Sequence, residues 1–388
     1  MTAEYYVIKV SGPDQPGITA KLMASLQEHG ACLKDIGQSI THGLLSLSFL
    51  IEHTDSSELI KDLLFLAKQL EMQLDYQKVD AAEVSSRGES YIISCISPEE
   101  IRPSFMRDIA ALLASYHINI KRIDNLHPEH FKTLDLSVQF GEDQTGLDEI
   151  KERLLALSHD HAVDLALLKD NVWRRNKRLI VFDMDSTLIQ SEVIVEMAKV
   201  HGVGDKVHAI TESAMNGEIN FDQSLVQRVS LLQGLHISQM KSILNSIQLT
   251  EGVETFMSKV KKLGYKTAII SGGFQFFAHY FQQKLGIDYV FANDLEIEDE
   301  KLTGNIKGTI VNAEQKAIHL EQLAQREGIN LEQVVAIGDG ANDLPMLATA
   351  GLGIAFHAKD IVKKEAKQHM SFGNMASILY FLGISEEV

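Results

Sequence analysis

The sequence predicts an α/β protein in which a parallel sheet with a helical insertion follows two smaller α/β modules. The first 170 residues repeat one strand–helix order, the second half contains continuous apolar runs such as 179–182, and acidic or glycine residues follow those runs directly. Continuous apolar runs are typical of strands buried on both faces of a parallel sheet, and ligands gather at the carboxyl ends of such strands. We therefore expect the chemistry in the second half.

Length and charge limit the class of protein. At 388 residues the chain is too long for one ordinary core, and its formal net charge of −17 argues against nucleic acid or an anionic membrane as a partner. No apolar stretch approaches the roughly 20 residues that span a bilayer. Glu4 and Lys9 lie in the first apolar run, unlike a secretory signal, and Cys32 and Cys95 lack metal-type spacing. We expect a cytoplasmic protein.

The first half contains a weak internal repeat. Residues 6–14 and 91–99 are related strand-to-loop segments, each followed by a helix, two strands, a helix and a last strand. The order βαββαβ, found twice, is ferredoxin-like. The expected boundaries are 1–85 for the first module, 86–172 for the second and 173–388 for the catalytic domain. Trp173, in a basic joint, is predicted to be an interdomain packing anchor.

Four segments of the second half carry residues suited to phosphoryl transfer. This chemistry requires a nucleophile, oxygen ligands for a hard cation and donors for the phosphate oxygens. In chain order the segments contain Asp183 with Asp185, Ser271 with Gly272, Lys316, and Asp339 with Asn342 and Asp343.

Each segment also has a structural explanation when it is taken alone. Asp185 or Asp343 would suit a helix N-cap, and Gly272 would suit a turn. Lys316 would suit an exposed helix face. The ordered set of four, rather than any one member, favours a catalytic centre.

The four segments resemble the motifs of the haloacid dehalogenase superfamily. The sequences between them resemble those of its phosphoserine phosphatase family. The resemblance covers roughly residues 178–385 and includes 183–192, 212–221 and 224–229. It implies a Rossmann-like parallel sheet with a helical cap inserted after the first strand, at about 192–250. It also implies Mg²⁺-dependent hydrolysis of L-phosphoserine to L-serine through an aspartyl phosphate, the last step of serine biosynthesis.

The resemblance implies a role for each candidate residue. The catalytic residues are Asp183 as nucleophile, Asp185 as general acid and base, and Lys316 as the cation beside the phosphoryl oxygens. Ser271, the Gly272 amide and Asn342 are substrate-binding residues that contact the phosphoryl group. The implied Mg²⁺ ligands are Asp183, the backbone carbonyl of Asp185 and Asp339, with Asp343 supporting the metal or Lys316. The implied substrate pocket is Glu192 for the ammonium, Arg228 for the carboxylate, and Met215 with Phe221 as an apolar lid. Without the resemblance, Glu192 and Arg228 would be interpreted as exposed, solvated side chains on the surface of the cap.

Each module of the first half resembles an ACT domain, which implies amino-acid sensing and a homodimer formed through these modules. In the first copy, Asp14 and Gly17 match the family's ligand loop, so free L-serine is the expected regulatory ligand; a plain Pro/Gly turn is the alternative. The second copy carries Arg102 and Pro103 without the glycine, which favours a structural or dimerising role. Two other functions stay open: action on another small phosphomonoester or acceptor, and a non-catalytic serine sensor.

Overall fold

The computed structural model describes residues 4–54, 57–80, 89–127, 129–140, 146–215 and 218–384. The chain divides into two compact units, residues 1–87 and 88–388. The expected boundary between residues 85 and 86 lies outside the described residues. No helix in the described parts has the length and apolar character that a membrane crossing requires.

The first unit is a four-stranded antiparallel sheet with two helices. Its elements are β1 Glu4–Pro13, α1 Ile18–Glu28, β2 Cys32–Thr41, β3 Leu44–His53, α2 Ser57–Gln69 and β4 Gln73–Val79. The strand order is β2-β3-β1-β4. Alternate strand residues such as Ile8, Val10 and Phe49 are buried with Leu22 of α1 in one core. The expected βαββαβ order is therefore confirmed.

The second module repeats this architecture within the second unit. Its elements are β5 Ser90–Ile96, α3 Pro103–Ser115, β6 Asn119–Asn125, β7 Thr133–Gln139, α4 Leu147–His161 and β8 Asp164–Lys169, in the order β6-β7-β5-β8. Phe105 and Leu154 of the helices are buried in the module's own core. Ala166 and Leu168, in contrast, belong to the same core as Phe381 of the catalytic domain. The second module and the catalytic domain thus share one apolar interior.

The catalytic domain is built on a seven-stranded sheet of order β12-β11-β10-β9-β13-β14-β15. Its strands are β9 Leu179–Phe182, β10 Lys266–Phe274, β11 Tyr289–Glu298, β12 Lys301–Lys307, β13 Val334–Gly338, β14 Leu352–Phe356 and β15 Gln368–Met370. The six strands other than β12 are parallel, and β12 forms an antiparallel hairpin with β11. The flanking helices are α9 Val253–Lys262, α10 Gln275–Leu285, α11 Ala313–Glu327, α12 Leu344–Thr349, α13 Asp360–Glu365 and α14 Ile378–Phe381.

Strand β9 lies at the centre of this sheet, and all four of its residues are 0% exposed. Ile180 and Phe182 belong to the core on one face, while Leu179 and Val181 belong to the core on the other. Burial on both faces explains why the run is apolar without alternation.

The helical cap is inserted between β9 and β10. Its helices are α5 Val193–His201, α6 Gly204–Met215, α7 Phe221–Ser230 and α8 Ile237–Ser246. The chain enters and leaves the cap through two paired segments, because Ile189 forms an antiparallel bridge with Leu249 and the Thr250 amide donates to the Leu188 carbonyl at 2.9 Å. We call this pair of segments, through which the cap is connected to the sheet, the cap hinge.

Polar contacts also join the second module to the catalytic domain. The buried Asp164 carboxylate accepts hydrogen bonds from the backbone amides of residues 371–373 at 2.6–3.3 Å. The buried Arg174 donates to Asp135 at 2.6 Å. Trp173, expected to be the anchor of this joint, is only partly buried, so the neighbouring arginine is the buried residue there.

Candidate active site

Asp183 lies at the carboxyl end of the central strand, as the sequence predicts. Its amide donates to the Ile337 carbonyl of β13 at 2.9 Å, which extends the parallel pairing by one residue. The Asp183 side chain is 5% exposed and faces the edge of the sheet where the other predicted residues meet.

The turn after Asp183, Met184–Leu188, is tight because Ser186 adopts a left-handed conformation with φ +56°. Such a conformation costs a non-glycine residue energy and is common at functional sites. The Ser186 hydroxyl donates to Glu192 at 2.9 Å, and the Thr187 hydroxyl donates to Asp339 at 3.1 Å. The turn therefore directs its two hydroxyls to two flanking acids.

Lys316 is a buried cation of the site. Helix α11 begins at the N-cap Asn312, which places Lys316 in its first turn. The lysine is 0% exposed, and its Nζ donates to Asp183 Oδ1 at 2.8 Å and to Asp343 Oδ1 at 2.6 Å. Burial alone would lower the pKa of Lys316, but the two carboxylates hold it above its usual value. The structure excludes the exposed-helix alternative.

Asp183, Asp339 and Asp343 form a carboxylate cluster whose oxygens lie within 4.8 Å of one another. Burial and the charges of Asp183 and Asp343 raise the pKa of Asp339 to about 8. Burial and the Asp183 charge raise the pKa of Asp343 to about 6, although Lys316 opposes this. When all three acids are ionised, Lys316 leaves two negative charges uncompensated, so the donor set fits one hard divalent cation.

Asp185 lies against residues 271–273 at the carboxyl end of β10. A Cβ on Gly273 would lie 2.9 Å from Asp185 Oδ2 and 3.2 Å from Ser271 Oγ, so this close approach requires glycine. Burial, followed by the charges of Glu192 and Asp183, raises the pKa of Asp185 well above its usual value. A raised pKa favours the protonated form of the carboxyl group, which is the form that a general acid requires.

Asn293 is a positioning residue that the sequence did not predict. It is 1% exposed, its side-chain amide donates to the Gly272 carbonyl at 2.8 Å, and its oxygen accepts from the Val311 amide at 2.8 Å. It therefore joins the carboxyl end of β10 to the segment before α11. The sequence signal that could have identified it is its position, because it is a polar residue directly after the apolar residues 289–292.

The cap touches the catalytic loops through α7. The Phe221 ring lies 3.1 Å from the position that a Cβ on Gly272 would occupy. The neighbouring Asp222 accepts from Asn312 Nδ2 at 3.2 Å on both oxygens, a contact that the sequence did not predict. The cap thus meets the first turn of the helix that carries Lys316.

The two charged pocket candidates act on each other electrostatically. Arg228, half-buried on α7, donates through Nε to the Ser224 carbonyl at 3.3 Å. Burial lowers the pKa of Arg228, and the charges of Glu192 and Asp185 oppose this. Glu192 keeps solvent contact, yet the protein around its carboxylate and the Asp183 charge raise its pKa.

The remaining candidates occupy different positions. Asn342 is half-buried, and its carboxamide folds over Gly340, where a Cβ would clash with it. Met215 ends α6, but its side chain lies outside the described residues. Asp14 and Gly17 lie in the first unit, where Gly17 is the N-cap of α1 with φ +93°. A Cβ there would meet open space, so the backbone conformation, not crowding, requires that glycine.

Comparison with known proteins identifies the two kinds of domain. A family model described as haloacid dehalogenase-like hydrolase matches residues 177–351, and one described as ACT domain matches residues 4–77. The phosphoserine phosphatase of Streptomyces coelicolor is 35% identical over 384 residues, which cover 98% of this chain and 92% of that protein.

Solved structures show the same similarity. A probable phosphoserine phosphatase from Vibrio cholerae, in unliganded form, matches with a TM-score of 0.60 and 34% identity over 76% of this chain and 86% of that chain. A structure described as a phospho-aspartyl intermediate analogue of phosphoserine phosphatase matches with a TM-score of 0.50 and 45% identity over 53% of this chain and 99% of that chain.

Proposed function

This chain belongs to the phosphoserine phosphatase family, and from that premise we propose that it hydrolyses L-phosphoserine to L-serine and phosphate through an aspartyl phosphate on Asp183. The observation that carries the proposal is the position of Lys316 Nζ, shared between Asp183 and Asp343 in a buried site. A cation held there fixes the nucleophile and offsets charge as a phosphoryl group arrives.

The proposed reaction has two steps. An Asp183 oxygen attacks phosphorus, the bond from phosphorus to the serine oxygen breaks, and Asp185 gives its proton to the leaving alkoxide. Asp185 then takes a proton from a water molecule that attacks the aspartyl phosphate, which releases phosphate and restores Asp183. The raised pKa of Asp185 supports this alternation. The relative described as a phospho-aspartyl intermediate analogue supports the covalent step.

The proposed cofactor is Mg²⁺, held by Asp183, Asp339 and the backbone carbonyl of Asp185. When bound it supplies positive charge beside the phosphoryl oxygens. Ser271, the Gly272 amide and Asn342 are the proposed uncharged donors to the same oxygens. Asp343 supports the arrangement through its bond to Lys316.

Glu192 and Arg228 are the proposed basis of substrate choice. L-phosphoserine carries an ammonium and a carboxylate, and the two residues offer one opposite charge to each. Phe221, in contact with the Gly272 loop, is the proposed apolar lid, together with Met215.

The test measures phosphate release from L-phosphoserine and from phosphoethanolamine, which lacks the carboxylate. We expect Asp183→Asn and a chelator each to abolish release from both. Arg228→Ala should lower kcat/KM for L-phosphoserine by about 10- to 150-fold, the value of one charged hydrogen bond, and leave phosphoethanolamine almost unchanged. Lys241→Ala, a change on the exposed face of cap helix α8, is the matched control.

Equal losses for both substrates would contradict the assignment of Arg228. A higher kcat/KM for a phosphomonoester without an amino-acid head, or transfer of phosphate to an acceptor other than water, would favour the alternative activity.

We further propose that L-serine binds the first unit near Asp14 and Gly17 and that the cytoplasmic enzyme is a homodimer through its ACT-type modules. The match of an ACT model to residues 4–77 supports this. Serine inhibition that is not competitive with L-phosphoserine and that Asp14→Ala abolishes is the expected result. Purely competitive inhibition in both proteins, or a monomer by light scattering, would contradict these proposals.

A further inference from the structure

The second unit contains a cavity of about 490 Å³ between the second module and the catalytic domain. Its walls come from the loop after β5, the segment between β6 and β7, and the residues that flank α9 and α14. A volume of this size holds a small organic molecule. We call it the interdomain cavity. None of the proposed catalytic or regulatory residues lines it.

Charges of opposite sign stand on its two walls. Lys132, His127 and His130 come from the second module, and the two imidazole rings stack with their centroids 5.0 Å apart. Glu251 comes from the catalytic domain. A single ammonium and a single carboxylate, carried by different domains, present one site for an anionic group and one for a cationic group.

The inner wall supplies further polar groups. Thr133 lines the cavity, is 2% exposed, and its hydroxyl has no hydrogen-bond partner among the described residues. The adjacent loop is fixed, since the Ser97 amide donates to the Lys132 carbonyl at 2.9 Å.

We infer that the interdomain cavity binds a small zwitterion, a free amino acid, with its carboxylate toward Lys132 and its ammonium toward Glu251. The stacked imidazoles form the wall for the side chain. This site differs from the expected serine site near Asp14 and gives the second module, which lacks the glycine loop, a binding role of its own.

The position of Glu251 links the cavity to the cap. Glu251 directly follows Thr250 of the cap hinge, whose amide is bonded to Leu188. Its carbonyl accepts from the Met375 amide at 3.0 Å, and its carboxylate accepts from Asn374 at 3.4 Å. A ligand held between the two walls therefore acts on the segment through which the chain leaves the cap. An effect of the ligand on kcat is therefore expected. That effect rests on the proposed function, whereas binding of the ligand does not.

The test uses the full chain with Arg228→Ala, which removes the carboxylate partner of the proposed substrate pocket. The twenty free L-amino acids are screened by thermal shift, and the best ligand is titrated by calorimetry. We expect Lys132→Gln and Glu251→Gln each to weaken binding about tenfold or more. The matched controls, Lys121→Gln on β6 and Glu254→Gln on α9, are exposed residues outside the cavity and should change binding less than twofold.

Lactate, ethanolamine and inorganic phosphate separate the chemical possibilities. Each should bind at least about tenfold more weakly than the amino acid, because each lacks one of the two charges. The inference is overturned when no amino acid distinguishes Lys132→Gln from Lys121→Gln, or when lactate or phosphate binds as tightly. With Arg228 intact, the ligand should alter kcat in the parent chain and not in Lys132→Gln. Binding without that change in kcat would refute the link to the hinge alone.

Discussion

We expect the binding of a divalent cation at Asp339 to depend on pH. Its pKa of about 8 in the metal-free protein means that it holds a proton at pH 7, and a divalent cation must displace that proton. For one linked proton, the apparent affinity rises nearly tenfold per pH unit below the pKa and becomes constant above it. Between pH 6 and 8 we therefore expect the affinity for Mg²⁺ to rise about fiftyfold.

The same proton makes the stability of the metal-free protein depend on pH. The folded-state pKa of Asp339 is raised above its unfolded value, so between about pH 4 and 8 the folded chain holds a proton that the unfolded chain has lost. The free energy of unfolding therefore falls by about 1.4 kcal/mol for each pH unit of increase in that window, because the folded chain binds one more proton than the unfolded chain. Saturating Mg²⁺ should abolish this decline, because the bound cation replaces the proton.

Calorimetric titration with Mg²⁺ at pH 6, 7, 8 and 9, in two buffers of different ionisation enthalpy, measures both the affinity and the protons released. We expect release of about one proton at pH 7 and almost none at pH 9. Asp339→Asn should bind weakly with little pH dependence, while Asp360→Asn, an exposed change on α13, should behave as the parent protein. A Mg²⁺ affinity that changes less than twofold between pH 6 and 8 would refute the assignment of the linked proton to Asp339.

The other predictions concern three carboxylates. Asp185→Asn should lower turnover of L-phosphoserine by roughly 10²- to 10⁴-fold and turnover of nitrophenyl phosphate much less, since a good leaving group needs no proton. Asp222→Ala should lower kcat/KM by about 5- to 30-fold and the free energy of unfolding by about 1–2 kcal/mol, because two hydrogen bonds of about 1 kcal/mol each between the cap and Asn312 are lost. Asp164→Asn should lower the free energy of unfolding by about 2–4 kcal/mol, because its amide group leaves buried backbone donors unsatisfied.

Different outcomes would contradict each of these. Equal losses of Asp185→Asn on both substrates would indicate a structural role in place of proton transfer. Unchanged kinetics of Asp222→Ala at low substrate concentration would show that the contact between the cap and Asn312 does not contribute to kcat/KM. A melting temperature of Asp164→Asn equal to that of Asp164→Glu and of the parent protein would show that the three amides are solvated without it.

The sequence predicted the centre of the site because its signals are local. An apolar run buried on both faces must end at the edge of the sheet, so Asp183 and the acids after β13 were expected to meet there. The rest depends on partners distant along the chain. The left-handed Ser186, the bonds of Asn293 and the pairing of Asp222 with Asn312 arise from contacts that no local pattern encodes.

The junction of the second module shows the same limit. A basic segment with one tryptophan predicted an aromatic anchor, yet the buried side chain is Arg174, paired with Asp135 from a strand 39 residues earlier. Arginine in such a segment is usually solvated, and only the position of the aspartate makes its burial favourable.

The shared interior of the second module and the catalytic domain bears on how such enzymes are recombined. Because Ala166 and Leu168 pack with Phe381, and Asp164 binds amides some 207 residues later, residues 88–172 behave as part of the enzyme's scaffold. A gene chimera joined at residue 172 would expose that interior on both fragments, whereas a junction within residues 81–88 separates two compact units. In this chain the first ACT-type module is therefore the domain that can be exchanged as a unit. The second module has to be kept together with the phosphatase domain.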